Sequence, residues 1–164
     1  MAKKKSNPVT RAILTLRQAG AEFTEHPYDY VDKGGTRRSS QELGVDEHAV
    51  IKTLVMEDEE HEPLVILQHG DRSVSTKGLA RALGRKRIVP CTPAVAERHT
   101  GYQVGGTSPF GTKKPLPVYV EATILGLERI YINGGSRGFL VSLAPSVLVA
   151  LLGATPVEVA TDRA

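Results

Sequence analysis

Apolar residues recur along the chain at two spacings, and the switches between them mark out its elements. Val9, Ala12, Ile13 and Leu16 fall on one helical face; Asn7 can cap that helix, with Pro8 at its first position, and Gly20 closes it. Residues 21–30 are strand-like but interrupted by Pro27, and residues 31–38 have loop character. Ser39 and Glu42 have the spacing of a capping box, which predicts a short helix ended by Gly44. Residues 49–56 and 63–69 are apolar strands joined by an acidic turn, the pattern of a hairpin. Ser75 can cap a helix over 76–83 that stops at Gly84. A strand is expected at 87–91, and a helix opened by Thr92-Pro93 runs to Gly101. Strands at 117–123, 129–133 and 138–143 follow, then an apolar helix from Pro145 to Leu152 and a last strand over 156–159. Helices and strands mixed around a central hairpin predict an α+β fold with a mixed sheet rather than a doubly wound parallel one.

The 164 residues fit one domain, 1–164, with 1–7 as a flexible basic N-terminus; no repeat or linker divides them. No apolar run is long enough to span a bilayer, and the first residues lack the apolar stretch of a secretory signal, so a cytoplasmic protein is expected. Cys91 is the only cysteine, which excludes an intrachain disulfide. The five histidines are scattered without metal-ligand spacing, and neither a metal nor another cofactor is expected.

Two segments are unusually bare. Gly105-Gly106-Thr107-Ser108-Pro109-Phe110-Gly111 cannot form a regular helix, and Asn133-Gly134-Gly135-Ser136-Arg137-Gly138 repeats the theme. Either they are tight turns, or they bring backbone amides within reach of a ligand. Neither is a P-loop or a dinucleotide fingerprint. Lys52 lies in an apolar strand, where alternation sets Ile51, Thr53 and Val55 on one face and Lys52, Leu54 and Met56 on the other. Its ammonium is either in water at the rim or in a site that supplies a partner. Cys91 precedes a helix N-terminus that could lower its pKa, though a small core residue is the simpler reading. Glu97 and Glu121 read as solvated carboxylates without acid–base pairing, and no serine sits in a nucleophile elbow. Net charge is only +3, but Lys77, Arg81, Arg85, Lys86 and Arg87 crowd one stretch and Lys113 and Lys114 follow the first glycine loop. Such a surface is either a plain solvated face or a phosphate-binding one. Arg81 and Arg85 would share a helical face if the helix ran past Gly84.

Taken in order, several stretches resemble the YbaK/EbsC family of aminoacyl-tRNA deacylases, relatives of the editing domain inserted in bacterial prolyl-tRNA synthetases. They are Val50-Ile51-Lys52-Thr53-Leu54, the segment from Lys77 to Gly84, the segment from Thr100 to Gly111, and the segment from Ile130 to Gly138. The resemblance covers roughly residues 8–158. It implies an α+β domain with a mixed, partly barrel-like sheet surrounded by helices. It also implies an enzyme that removes wrongly attached amino acids from tRNA. By motif match, Lys52 and Thr53 fall on the family's Lys-Thr pair, Gly105 and Gly106 on its first glycine loop, and Gly134 and Gly135 on its second. Tyr28 matches an aromatic position in the N-terminal strand.

The resemblance further implies a reaction that needs no triad. In the cysteine-specific branch the substrate thiol closes on its own ester, giving a thiolactone and free tRNA (formally a lyase), while attack by water would make a hydrolase. Lys52 would then hold the terminal adenosine phosphate or the carbonyl, and Thr53 and Tyr28 the aminoacyl group. Backbone amides of the glycine loops, with Ser108 and Pro109 in the first, would face the ester. Expected substrates are Cys-tRNA(Pro) and Cys-tRNA(Cys). Another small aminoacyl-tRNA such as Ala-tRNA(Pro), cleaved by water, is the alternative, and a non-catalytic module binding tRNA or the synthetase is a third reading. Specificity for the tRNA body can be borrowed from a bound prolyl-tRNA synthetase. Leu140 departs from the family pattern, standing where many relatives carry an acidic residue, and bears on which amino acid is admitted.

Overall fold

The computed structural model describes residues 6–163; most of the expected basic N-terminus, residues 1–5, lies outside the described residues. In chain order the elements are α1 (Arg11–Gln18), β1 (Thr24–Pro27), α2 (Gly35–Leu43), β2 (Val50–Asp58), β3 (Pro63–His69) and β4 (Arg72–Val74). Then come α3 (Thr76–Leu83), β5 (Ile88–Pro90), α4 (Pro93–Thr100), β6 (Val118–Glu121), β7 (Ile130–Ser136), β8 (Phe139–Leu143), α5 (Ser146–Leu152), β9 (Thr155–Val157) and β10 (Ala160–Asp162). The main sheet runs β1-β8-β7-β2-β3-β6-β9, with β5 also on β2, while β4 and β10 form a separate ribbon. Pairs β2–β7, β3–β6 and β6–β9 are parallel and the rest antiparallel, so the sheet is mixed, as an α+β chain requires.

The hairpin of β2 and β3 is the centre of the molecule, in register from Ile51 opposite His69 to Glu57 opposite Pro63. Asp58 shapes its turn by accepting hydrogen bonds from the Glu60 and Glu62 amides at 2.8 and 3.0 Å. Strand alternation divides the interior in two. Ile51, Val65 and Leu67 join a core with α1, β7, β8 and α5, whereas Leu54, Met56, Leu64 and Ile66 join a second with Leu79, Ala80 and Ile88. Ile66 and Leu67 are fully buried, each contributing about 1.5–3 kcal/mol by removal from water.

Several boundaries differ from expectation; β1, for one, covers only Thr24–Pro27 of the strand expected over 21–30. Thr10, not Asn7, caps α1, its hydroxyl accepting from the Ile13 amide at 3.1 Å, and Val9 lies outside the helix and exposed. The helix expected from Ser39 begins at Gly35, so residues 35–38 are helical. Ser39 and Ser40 are buried inside it and donate back to the Thr36 and Arg37 carbonyls at 3.2 and 3.0 Å. A serine that bonds the preceding turn mimics a cap in sequence without being one. β7 continues through the second glycine segment to Ser136, with a bulge at Gly134-Gly135: Asn133 lies opposite Leu140 and Ser136 opposite Phe139.

Candidate active site

β2 has one neighbour along its whole length on one edge and two on the other. On that second edge β7 covers Val50 and Ile51, and β5 covers Met56 to Asp58. Residues 52–54 have no strand partner there, Val55 being met by the Cys91 amide at 3.0 Å, and this gap forms one wall of a cavity of about 530 Å³. Thr53 stands in the gap with its Oγ1 buried and without a hydrogen-bond partner. Lys52 is half-buried and its Nζ donates to the Arg72 carbonyl. Burial first, and the Arg163 guanidinium second, push the Lys52 pKa below the ordinary lysine value, against the pull of Glu47 and Asp71. Lys52 also lines a smaller cavity of about 290 Å³ with Gly34, Gly35, Thr36 and Arg163.

The glycine segments sit at the opposite wall, and most of their bare backbone is already engaged. Asn133 Nδ2 donates to the Gly105 carbonyl at 3.0 Å and Arg137 Nε to the Val104 carbonyl at 2.9 Å, which locks the two loops together. A Cβ on Gly106 would lie 2.9 Å from the Arg137 amide nitrogen, and one on Gly134 2.7 Å from the Phe139 ring. Gly135 has φ +99°, and its amide donates to Asn133 Oδ1 at 2.7 Å. The Gly106 amide donates to the Gln103 carbonyl at 2.8 Å. Ser108 is fully buried and its hydroxyl accepts from the Phe110 amide at 3.1 Å, while Phe110 plugs the larger core and its carbonyl accepts from Tyr102 at 2.6 Å. These residues hold the loop; Gly105, with φ +90°, is the loop glycine that lines the cavity.

Of the residues singled out in the sequence, the cavity brings together Lys52, Thr53, Tyr28, Gly105 and Leu140. Tyr28 enters from the end of β1, held by its amide donating to the Gly138 carbonyl at 2.8 Å, and burial raises its phenol pKa. Leu140, on β8, is 4% exposed and makes that wall apolar. Gly106, Ser108, Pro109, Gly134 and Gly135 stand behind the wall and do not line it. Tyr30, Arg137, Asn133 and Thr36 line it without having been singled out. Tyr30 was legible as the residue two beyond Tyr28, on the same side of an extended chain. The Arg137 guanidinium lies 5.3 Å from the Tyr30 ring centre, a cation–π pair at the mouth.

The basic residues are all exposed: Lys77, Arg81, Arg85, Lys86, Arg87, Lys113 and Lys114. Helix α3 stops at Leu83 with Gly84 as its cap, so Arg81 and Arg85 do not share a helical face. Arg85 instead pairs with Asp58 at 3.2 Å. Arg87 precedes β5, whose end at Pro90 and the adjoining Cys91 line the cavity, so the charged stretch leads to its edge. Glu121 is not solvated: it is buried and accepts from Gln68 Nε2 at 2.9 Å and the Val159 amide at 3.0 Å. No described helix is long and apolar enough to cross a membrane.

The site is thus a mixed sheet with an interrupted strand edge, opening on a cavity with a lysine, an unpaired hydroxyl and aromatic rings. The chain belongs to the aminoacyl-tRNA editing domain family, whose model matches residues 35–160. It is 30% identical over 99% of its length to the whole of the Enterococcus faecalis protein named "Putative Cys-tRNA(Pro)/Cys-tRNA(Cys) deacylase EbsC". A 21% identical match over 62% of the chain falls on 18% of a proline–tRNA ligase of Limosilactobacillus fermentum. The crystal structure of "a putative trans-editing enzyme for prolyl tRNA synthetase" shares the fold, with TM-score 0.80 at 24% identity over 94% of this chain and 96% of that one.

Proposed function

We propose that the protein is a trans-editing deacylase that clears cysteine from Cys-tRNA(Pro), with Cys-tRNA(Cys) as a second substrate. The observation that carries this reading is Thr53, whose buried hydroxyl lacks a partner beside Lys52 on the uncovered edge of β2. A buried hydroxyl that the protein leaves unpaired is a place for a ligand atom. The cavity volume of about 530 Å³ lies within the roughly 300–1,000 Å³ of small-molecule pockets and suits the aminoacylated terminal adenosine rather than the tRNA body. The name of the EbsC relative, at 30% identity over nearly the full chain, supports cysteine. The apolar wall at Leu140 suits a thiol better than a charged side chain.

In this mechanism the substrate sulfur attacks its own ester carbonyl carbon. The bond from that carbon to the ribose oxygen breaks, the thiol proton passes to that oxygen, and the products are a thiolactone and free tRNA. The protein contributes orientation and charge. Thr53 and Tyr28 position the aminoacyl group, and Lys52 offers its ammonium to the carbonyl or the terminal phosphate. Of the loop amides proposed to meet the oxyanion, those of Gly106 and Gly135 are engaged internally and Gly134 does not line the cavity, which leaves the role to Gly105. Lys77, Arg81, Lys86 and Arg87 contact phosphates of the tRNA, and the synthetase-like match supports a bound prolyl-tRNA synthetase as a partner.

Incubation with Cys-, Ser- and Ala-charged tRNA(Pro) tests the reading. Release of cysteine but not serine is expected, since serine has nearly the same shape with a much weaker nucleophile. Equal release of serine would replace thiol attack by water, and release of alanine alone would overturn the cysteine assignment. Binding without any release would leave a non-catalytic module.

A further inference from the structure

Behind the part of the cavity wall that Cys91 forms lies a cluster that the editing reaction does not use. Glu57 on β2, Cys91 just past β5 and His99 on α4 each present one ligand atom, and these atoms lie within 4.8 Å of one another. His99 is 7% exposed, and both its ring nitrogens are buried without a hydrogen-bond partner. Its Nε2 lies 3.7 Å from Glu57 Oε2, too far for a hydrogen bond. The other histidine-containing cluster behaves differently. His69 has both nitrogens satisfied, one by the His48 carbonyl and one by the Thr123 hydroxyl, each at 2.7 Å.

We propose that Glu57, Cys91 and His99 bind one divalent transition-metal ion of the zinc class, through a carboxylate oxygen, a thiolate and an imidazole nitrogen, with solvent in the fourth position.

The donor set is one that zinc takes, at about 2.3 Å for sulfur and about 2.0–2.2 Å for nitrogen and oxygen. Tetrahedral angles at those lengths put the nitrogen and oxygen ligands about 3.4 Å apart, close to the 3.7 Å found between His99 and Glu57. Charge also balances: a dication with one thiolate, one carboxylate and a neutral imidazole carries no net charge, as a half-buried site requires. Binding displaces the Cys91 proton to solvent and changes no oxidation state. Without a cation, burial and then the Glu57 carboxylate push the Cys91 thiol up to about 12, and a bound dication reverses that balance. The three ligands come from β2, from the end of β5 and from α4, so the ion would tie together the cavity wall that includes Pro90, Cys91 and Ala96. The signal is not local in sequence, since the ligands lie 34 and 8 residues apart (57 to 91 and 91 to 99).

Cobalt(II) is the probe, added to the purified full chain after chelator treatment, with circular dichroism to show that it remains folded. The expected result is saturation at a single equivalent, with thiolate-to-cobalt charge-transfer absorption that zinc displaces. Cys91→Ser abolishes the absorption. His99→Gln and Glu57→Gln each weaken binding by more than the roughly 10- to 100-fold that loss of an outer-shell partner costs. His48→Ala leaves it unchanged. A folded protein with no such absorption overturns the proposal, and so does absorption that survives both His99→Gln and Glu57→Gln. None of these readouts depends on deacylation, so the metal site stands or falls apart from the editing reaction.

Discussion

The middle of β2 and the two glycine loops face one another across the same cavity, and they divide its work in opposite ways. The loops carry the bare backbone, yet Asn133, Arg137, the Tyr102 hydroxyl and the Gln103 carbonyl take up much of it in holding loop to loop and loop to core. β2 is an ordinary-looking apolar strand, yet residues 52–54 are where the sheet leaves an edge uncovered and a hydroxyl unpaired. A glycine-rich segment can thus be bare toward protein rather than toward ligand. A sheet can open a site simply by giving one strand edge to two short partners.

The two walls should differ most in their response to substitution at Lys52 and Thr53. Lys52→Ala and Thr53→Val should each lower deacylation by about 10²–10³-fold, the usual loss on removing an oriented donor. For Thr53→Val, urea unfolding should show stability unchanged or raised by up to about 1 kcal/mol, because a buried unpaired hydroxyl is removed. A marked loss of stability in Thr53→Val would mean that the hydroxyl supports the fold instead. Across the cavity the pattern inverts. Gly106→Ala and Gly134→Ala should destabilise by about 1–3 kcal/mol through overpacking, since each Cβ meets atoms under 3.0 Å away. Activity of the fraction that stays folded should fall much less than in Lys52→Ala, and equal losses in the two sets would erase the distinction.

A smaller effect is expected outside the cavity. Neutralising Lys77, Arg81, Lys86 and Arg87 together should reduce the salt dependence of tRNA binding, by a slope of about 0.7–0.9 for each phosphate no longer neutralised. Arg85→Ala should change that slope least, because its guanidinium already faces Asp58. Titrations at several salt concentrations read this directly. Smallest is a pH effect on stability. Burial lowers the pKa of His69 below 6.5, so the unfolded chain binds its proton first. Stability from this group is complete above pH 6.5 and declines as pH falls below that value toward the folded pKa. Denaturation midpoints measured across that window should show a shallower decline in His69→Gln.

Much of the fold was legible because the local signals agreed with the tertiary ones. The β2–β3 hairpin shows both its period and its turn, and α3, α4 and α5 show their terminal glycines. β4 and β10 were not legible: each has three residues, and neither makes sense without the other. The helix at Gly35 was hidden because it begins without a side-chain cap and contains a serine spaced like one. At the site, Lys52 and Thr53 stood out as a polar pair within an apolar strand. The cavity position of Asn133 and Arg137 depends on how two distant loops meet, and no local pattern carries that.

Arg163 lines the smaller cavity, on which Lys52 also borders. Its guanidinium donates to Glu47 at 2.6 Å and to the Gly70 carbonyl at 3.2 Å, in the same hydrogen-bond group as Thr36. It also lies close enough to bear on the charge of Lys52. Any change that removes the Arg163 guanidinium would therefore alter the electrostatic surroundings of Lys52 without touching the larger cavity. Kinetics measured on such a variant would report on a lysine in a different field, with every other lining residue in place.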